Sequence, residues 1–300
     1  MRTLGRWKNN WRSIIRDFLS IIGFIFLIVE IVDYFFPSIS TDLNIPNYGI
    51  LIGASSFFIA IAKNFPKQSF KMKIRDRDSF ITLKIGDAFK NNGALIIPIN
   101  DYFDVSLNGN VNKSNSLQKR LIADYYESKS EHLIEDIKKT TDITEAPFHA
   151  GKVVEVEQKG KRFYLTVNSK KTENNRVKST LEDFLDALNG IYEFLSSNAS
   201  RDECVTIPLL STQHGRNANL TRDVVIRQII DTFIETTKHD SVCEELVISI
   251  HPTDIGKGNL DFDKLCNYLE FQCNNYKDIQ FKEKPEGTPI EEPSTISDIS

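Results

Sequence analysis

Three hundred residues leave room for about two domains. A composition of 40% apolar and 26% charged residues is that of a chain that buries a core, and a formal charge of −4 implies no general attraction to nucleic acid. Four cysteines (Cys204, Cys243, Cys266 and Cys273) form no C-x-x-C pair and have no histidine at ligand spacing. They read as reduced, buried or half-buried thiols of a cytosolic domain, not as a metal site or a disulfide framework.

The first stretch with a clear signal is residues 18–36, FLSIIGFIFLIVEIVDYFF, which ends at Pro37. A helix of that length crosses most of a hydrocarbon core about 30 Å thick. It lies too far into the chain, and ends too poor in small residues, for a cleaved signal peptide. A second apolar run, 48–62, is short for a span, but Ile45 and Phe65 can extend it. Arg2, Arg6, Lys8, Arg12 and Arg16 precede the first run, and Lys63, Lys67, Lys71, Lys73, Arg75 and Arg77 follow the second. The loop between them carries Asp42 and no Lys or Arg. Basic residues stay on the cytoplasmic side. The expectation is therefore a two-helix transmembrane hairpin over 1–66, with the N-terminus and everything after Lys63 cytoplasmic. Trp7 and Trp11 stand where interfacial anchors belong. Asp33 is near enough to the end of its run to reach the headgroups. Glu30 either does the same or lines the inside of an oligomer. Gly49, Gly53, Ala54, Ser55 and Ser56 give the second run a small-residue face, suited to packing within the hairpin or between copies.

Residues 67–79 read as a basic linker lying near an anionic leaflet. Two short apolar strands follow, 80–85 and 94–99, joined by a turn at 89–93. The first runs into Gly86-Asp87 and the second into Asn100-Asp101. Open α/β sheets bind ligands at the carboxyl ends of their strands. A carboxylate and a carboxamide there suit a base and a ribose, although a Gly-Asp after a strand is also an ordinary turn. The polar loop 101–115 contains Gly109, and Ser114 or Ser116 is placed to cap the helix that follows. Such a helix start can hold a phosphate or be a simple capped surface loop.

The spacing predicts one helical run over 117–139, then a hairpin of 152–157 and 161–167, then a loop over 168–178. Ser179-x-x-Glu182 reads as a capping box ahead of a helix whose apolar face includes Phe184, Leu188 and Leu195. Residues 204–210 read as a strand buried on both faces. Ser211, Thr212, Gln213, His214, Gly215 and Arg216 come next, then a helix over 223–237. That loop supplies backbone N–H groups, two hydroxyls and a guanidinium, the donors a diphosphate needs, or it is a plain strand-to-helix turn. His214 has no neighbouring carboxylate to orient it, so it reads as a contact and not as a general base. A strand over 245–251 ends in His251-Pro252-Thr253-Asp254 at the same sheet edge. A helix over 261–273, an edge strand over 278–282 and a disordered tail over 283–300 complete the chain.

The GDAF and IIPIN stretches, the helix start SNSLQKRLI and the loop LLSTQHGR resemble the macro domain over residues 80–282. The resemblance implies a macro-like three-layer α/β/α fold with a mixed sheet that binds ADP-ribose or a related nucleotide. It implies that Asp87 accepts from the adenine amino group and that Asn100 contacts the distal ribose. Ala88, Ser114, Asn115, Ser116, Ser211, Thr212, Gln213, His214, Gly215 and Arg216 would complete the ligand-binding set, with no metal and no cofactor. The family's glycine-rich phosphate loop is reduced here to Gly109, which speaks against hydrolase chemistry more than against binding. Two cytoplasm-returning spans ahead of such a domain resemble the membrane-anchored macro effector of the bacterial Thoeris anti-phage system. That resemblance implies an inner-membrane protein activated by an ADP-ribose-derived signal nucleotide from a separate TIR-domain enzyme. Its partners would be that nucleotide, the lipid bilayer and further copies of itself. A membrane-tethered ADP-ribosyl hydrolase and a passive ADP-ribose reader are the competing readings.

Overall fold

A computed structural model describes residues 4–35, 49–65, 67–105, 116–174, 177–200, 202–210, 220–257 and 260–275. Two helices come first, α1 (Leu4–Phe35) and α2 (Gly49–Lys63). Among the described residues, one helix is long and apolar enough to cross a membrane: the Trp11–Phe35 part of α1, with mean hydropathy 2.2. At 15 residues α2 is about 22 Å long, short of a typical hydrocarbon core. The two helices pack side by side. Phe18 meets the Phe57 ring edge-on at 5.9 Å, and Asn64, just past α2, donates to the Asp17 carboxylate at 3.0 Å. Ser56 and Ala60 are fully buried, while Ala54 and Ser55 stay exposed. Part of the small-residue face is therefore spent within this pair. Glu30 and Asp33 are both exposed on α1.

The rest of the described chain is built on one mixed sheet. Its strands are β1 (Ser69–Lys73), β2 (Phe80–Ile85), β3 (Ala94–Asn100), β4 (Val153–Gln158), β5 (Lys161–Lys171), β6 (Val177–Lys178), β7 (Cys204–Pro208) and β8 (Glu245–Ile250). The spatial order is β1-β2-β8-β7-β3-β5-β4, with β6 paired to the end of β5. Strands β2, β8, β7, β3 and β5 run parallel, and β1, β4 and β6 are antiparallel to their neighbours. The segment expected to be a basic linker thus contributes a strand. Phe70 and Met72 pack against the core, and Lys71 and Lys73 alternate outward on the edge, where charges discourage further pairing.

Period-two alternation divides the sheet's apolar residues between two cores. Leu95, Ile97 and Ile99 of β3, with Phe163, Leu165 and Val167 of β5, join one core. Ala94 and Ile96, with Tyr164, join the other. The first is covered by α3 (Leu117–Tyr125) and α4 (Ser130–Thr140), through Leu121, Ile122, Leu133 and Ile137. The second is covered by α5 (Leu181–Asn198), α6 (Arg222–Thr236) and α8 (Phe262–Asn274). A short helix, α7 (Pro252–Lys257), follows β8.

Three local expectations shift. The helical run over 117–139 is broken where Glu127 and Ser128 take φ of 52° and 64°, leaving two helices. The capping box uses Thr180 and Asp183, one residue along from the pair expected. The loop over 168–178 is partly strand, because β5 continues to Lys171 and pairs with β6. Gly93 is a glycine the fold requires. Its φ is +76°, and a Cβ there would fall 2.0 Å from the Cys204 carbonyl oxygen where β3 starts beside β7. The strand expected at 278–282 and the tail after it lie outside the described residues.

Candidate functional site

The five parallel strands all end at one edge of the sheet. The chain leaves β3 toward the α3–α4 face and leaves neighbouring β7 toward the α6 face. That divergence is a topological switch point, the place outside the carboxyl ends of the strands where open α/β sheets bind ligands. Asn100 is the last residue of β3, and Gly86-Asp87 follow β2 at the same edge. The described chain after β7 ends at Leu210. Ser114, Asn115, Ser211, Thr212, Gln213, His214, Gly215 and Arg216 lie outside the described residues.

Asp87 caps a 3-10 turn, Ala88–Lys90, in extended backbone geometry. Its Oδ1 accepts from the Phe89 N–H at 3.1 Å and from Arg120 Nη1 at 2.6 Å. The Arg120 guanidinium holds the Asp87 carboxyl below the usual carboxylate range, against the opposing effect of burial, with the Phe89 N–H and Lys90 assisting. Ala88 is buried beneath this turn. Gly86 donates its N–H to the Ile250 carbonyl at 2.9 Å. Unlike Gly93 it avoids positive φ, and open space surrounds the place where a Cβ would stand. Neither backbone nor packing demands a glycine there.

Asn100 Oδ1 accepts from the Tyr102 and Asp104 N–H groups, each at 3.0 Å, and so shapes the start of the following loop. Its amide nitrogen has no bond among the described residues and keeps two hydrogens for an outside acceptor. The loop is anchored below by buried Asp101, which accepts from the Lys171 N–H at 2.8 Å, and by the Lys171–Asp104 ion pair at 2.6 Å. Ser116 caps α3, as expected for one of the two serines, and accepts from the Lys119 N–H at 3.3 Å.

Two features were not read from the sequence. One is Arg120, whose guanidinium lies 4.6 Å over the Phe89 ring and also pairs with Asp124 at 3.1 Å. Its pairing with Asp124 is a readable i,i+4 pattern, but the contact with Asp87 is not. The other is the contact of His251, which follows β8, with Thr253: its Nδ1 lies 3.3 Å from the Thr253 backbone nitrogen and 2.6 Å from the Thr253 hydroxyl. Among the described residues no group of three or more His, Cys, Asp or Glu is placed to hold a metal ion. The four cysteines are free thiols, and burial pushes Cys273 up to about 12.

A family model described as the Thoeris protein ThsA macro domain matches residues 81–251. No curated protein matches the chain. Similar solved structures include a mutant macrodomain of Oceanobacillus iheyensis, at 13% identity and TM-score 0.45, covering 68% of this chain and 94% of that one. The macrodomain of Mycobacterium tuberculosis DarG is similar at 14% identity and TM-score 0.41, over 57% of this chain and 97% of that one. The Oceanobacillus iheyensis macrodomain with ADP follows at 10% identity and TM-score 0.43, over 69% and 97%. The family model covers more than half of the sequence, and the mixed sheet lies between helices on both faces. The chain belongs to the Thoeris ThsA macro-domain family.

Proposed function

We propose that this protein is a membrane-anchored anti-phage effector whose macro domain senses an ADP-ribose-derived nucleotide made by a TIR-domain enzyme. The family carries the ADP-ribose part of this reading. The observation that carries the site is the switch point between β3 and β7, with the ionised acceptor Asp87 after β2 and the unspent amide donor Asn100 at the end of β3 on the same sheet edge. Gly86, which the fold does not need, leaves room for close approach of a ligand. The segment from Ser211 to Arg216 supplies the diphosphate donors in this reading, with Ser114 and Asn115 at the start of α3. The apolar helix α1 and its shorter partner α2 form the membrane part. Their basic flanks keep both termini in the cytoplasm of a bacterial inner membrane. Ligand binding brings copies together, and their helices then disrupt the bilayer. A ligand drives such a change only through its different affinity for the two states.

The domain is read as a sensor and not as a hydrolase. The loop after Asn100 has a single glycine, and no carboxylate neighbours His214 in sequence. Titration calorimetry of the full-length protein in detergent with ADP-ribose and its derivatives tests binding, and chromatography of the same samples tests turnover. Binding with intact recovery of the nucleotide supports the sensor. Product formation favours the tethered hydrolase, and no binding rejects the nucleotide reading.

A further inference from the structure

The Asp87 carboxylate is already engaged by the protein's own donors. Oδ1 already takes two donors, the Phe89 N–H and Arg120 Nη1. No bond to Oδ2 is found among the described residues. Arg120 is itself fixed on three sides, by Asp87, by Asp124 and by the Phe89 ring beneath it. Phe89 in turn stacks on Tyr125 at 6.0 Å and lies 6.3 Å from Phe163, so the ring under the guanidinium is anchored in the core. The Arg120 side chain nevertheless stays 42% exposed. A planar cation that lies over an aromatic ring and is still partly exposed can serve as a stacking surface for a base.

We infer that Arg120 is the positioning residue of the base subsite, fixing Asp87 as a one-sided acceptor and offering its exposed surface to a 6-aminopurine in preference to a 6-oxopurine. The inference rests on the nucleotide reading above and adds the residue that sets base selectivity. An ionised carboxylate accepts and never donates. With Oδ1 committed, Oδ2 remains for one N–H of an exocyclic amino group. A 6-oxo group would instead turn a lone pair toward that oxygen. The charged groups around Asp87 favour its ionised state: Arg120 from α3, Lys90 from its own turn, and Lys161 from the start of β5, whose ammonium is influenced by Asp87. Asp124 offsets part of that field but is itself paired with Arg120.

The test is calorimetry of the full-length protein with ADP-ribose and with its hypoxanthine counterpart, inosine diphosphate ribose. Wild type should prefer ADP-ribose by about tenfold or more, the discrimination expected of a site built to bond a donor. Arg120→Met should lose ADP-ribose affinity while the hypoxanthine analogue changes less, so that the preference shrinks to about threefold or below. Arg120→Lys keeps a cation beside Asp87 but no planar face. It should restore the preference while affinity stays below wild type. A merely structural role would weaken both nucleotides together and leave their ratio unchanged. Equal wild-type affinities, or an unchanged ratio in Arg120→Met, would overturn the inference while leaving nucleotide binding in place. Binding of neither nucleotide would overturn both. If Arg120→Met does not fold, the wild-type ratio and the Lys variant decide.

Discussion

The N-terminal helices and the macro domain use the same apolar side chains in opposite directions. In the sheet, Ile96 and Phe163 are 0% exposed, whereas in the helices Phe24 and Phe58 are 65% and 69% exposed. A water-soluble helix rarely turns a continuous apolar surface outward. The contrast shows that hydrophobicity alone does not identify a core. The domain is organised by burial away from water, whereas the helices turn their apolar faces outward, as the membrane anchor proposed above requires. Buried polar atoms do not follow this division: Ser56 in the helix pair and Asn91 and Thr206 in the domain each bury a side-chain polar atom with no hydrogen-bond partner among the described residues.

The largest effect should come from testing that contrast with matched truncations. Phe163→Ala removes a ring packed against Phe89 and Tyr125 and should cost about 3–5 kcal/mol in domain stability. Phe24→Ala should leave the domain's denaturation midpoint unchanged and affect only membrane insertion. Equal losses would show that α1 is folded against the domain and not against lipid.

Site variants should have a smaller effect with the fold intact. Asp87→Ala and Asn100→Ala should each weaken nucleotide binding about tenfold, as loss of a half-buried hydrogen-bond partner does. Calorimetry reads this directly, and unchanged affinity in both would reject the site.

A pH series separates the domain from the helices more finely. Burial pushes the buried Asp183 carboxyl up, but Lys170 at 2.8 Å and the Thr180 N–H and hydroxyl outweigh it and hold the group below its ordinary value. A lowered folded-state value stabilises above the ordinary carboxylate pKa of about 3.9 and loses that contribution as pH falls through the folded value. Asp183→Asn should therefore destabilise the domain between neutral pH and about pH 5, with the difference from wild type closing below about pH 4. Chemical denaturation across that range checks the sign.

The smallest effect on binding, near zero, is expected at Gly53. A Cβ there meets nothing within 4 Å, so the first atom of a Gly53→Val side chain enters open space. It should lower ligand-triggered membrane damage without changing nucleotide affinity if that face packs between copies. Undiminished damage would place the contact between copies elsewhere.

Much of the sheet was legible because strands buried on both faces are near-continuous apolar runs, as in ALIIPI ahead of Asn100. The place of Asp87 and Asn100 at the carboxyl edge of the sheet was legible because they come at the ends of such runs. Strand β1 was not, since alternating lysines on an edge strand look like a basic linker when their apolar partners are only Phe70 and Met72. The capping box slipped by one residue because Ser179-Thr180 and Glu182-Asp183 offer two overlapping solutions. The break between α3 and α4 was hidden because Glu127 and Ser128 adopt positive φ with no glycine to announce it. Arg120 was missed because its contact with Asp87 joins residues 33 positions apart, and only tertiary packing brings them together.

In the proposed function, nucleotide binding in the macro domain gates the N-terminal helices. Dye leakage in cells making this protein with a TIR-domain signal enzyme tests it most directly. Gly215→Glu places a negative charge in the segment proposed to hold the ligand's phosphates, so like-charge repulsion opposes binding. At equal expression and membrane insertion, leakage should occur with wild type and be abolished in Gly215→Glu. Leakage that persists in the variant would show that nucleotide binding does not gate the helices.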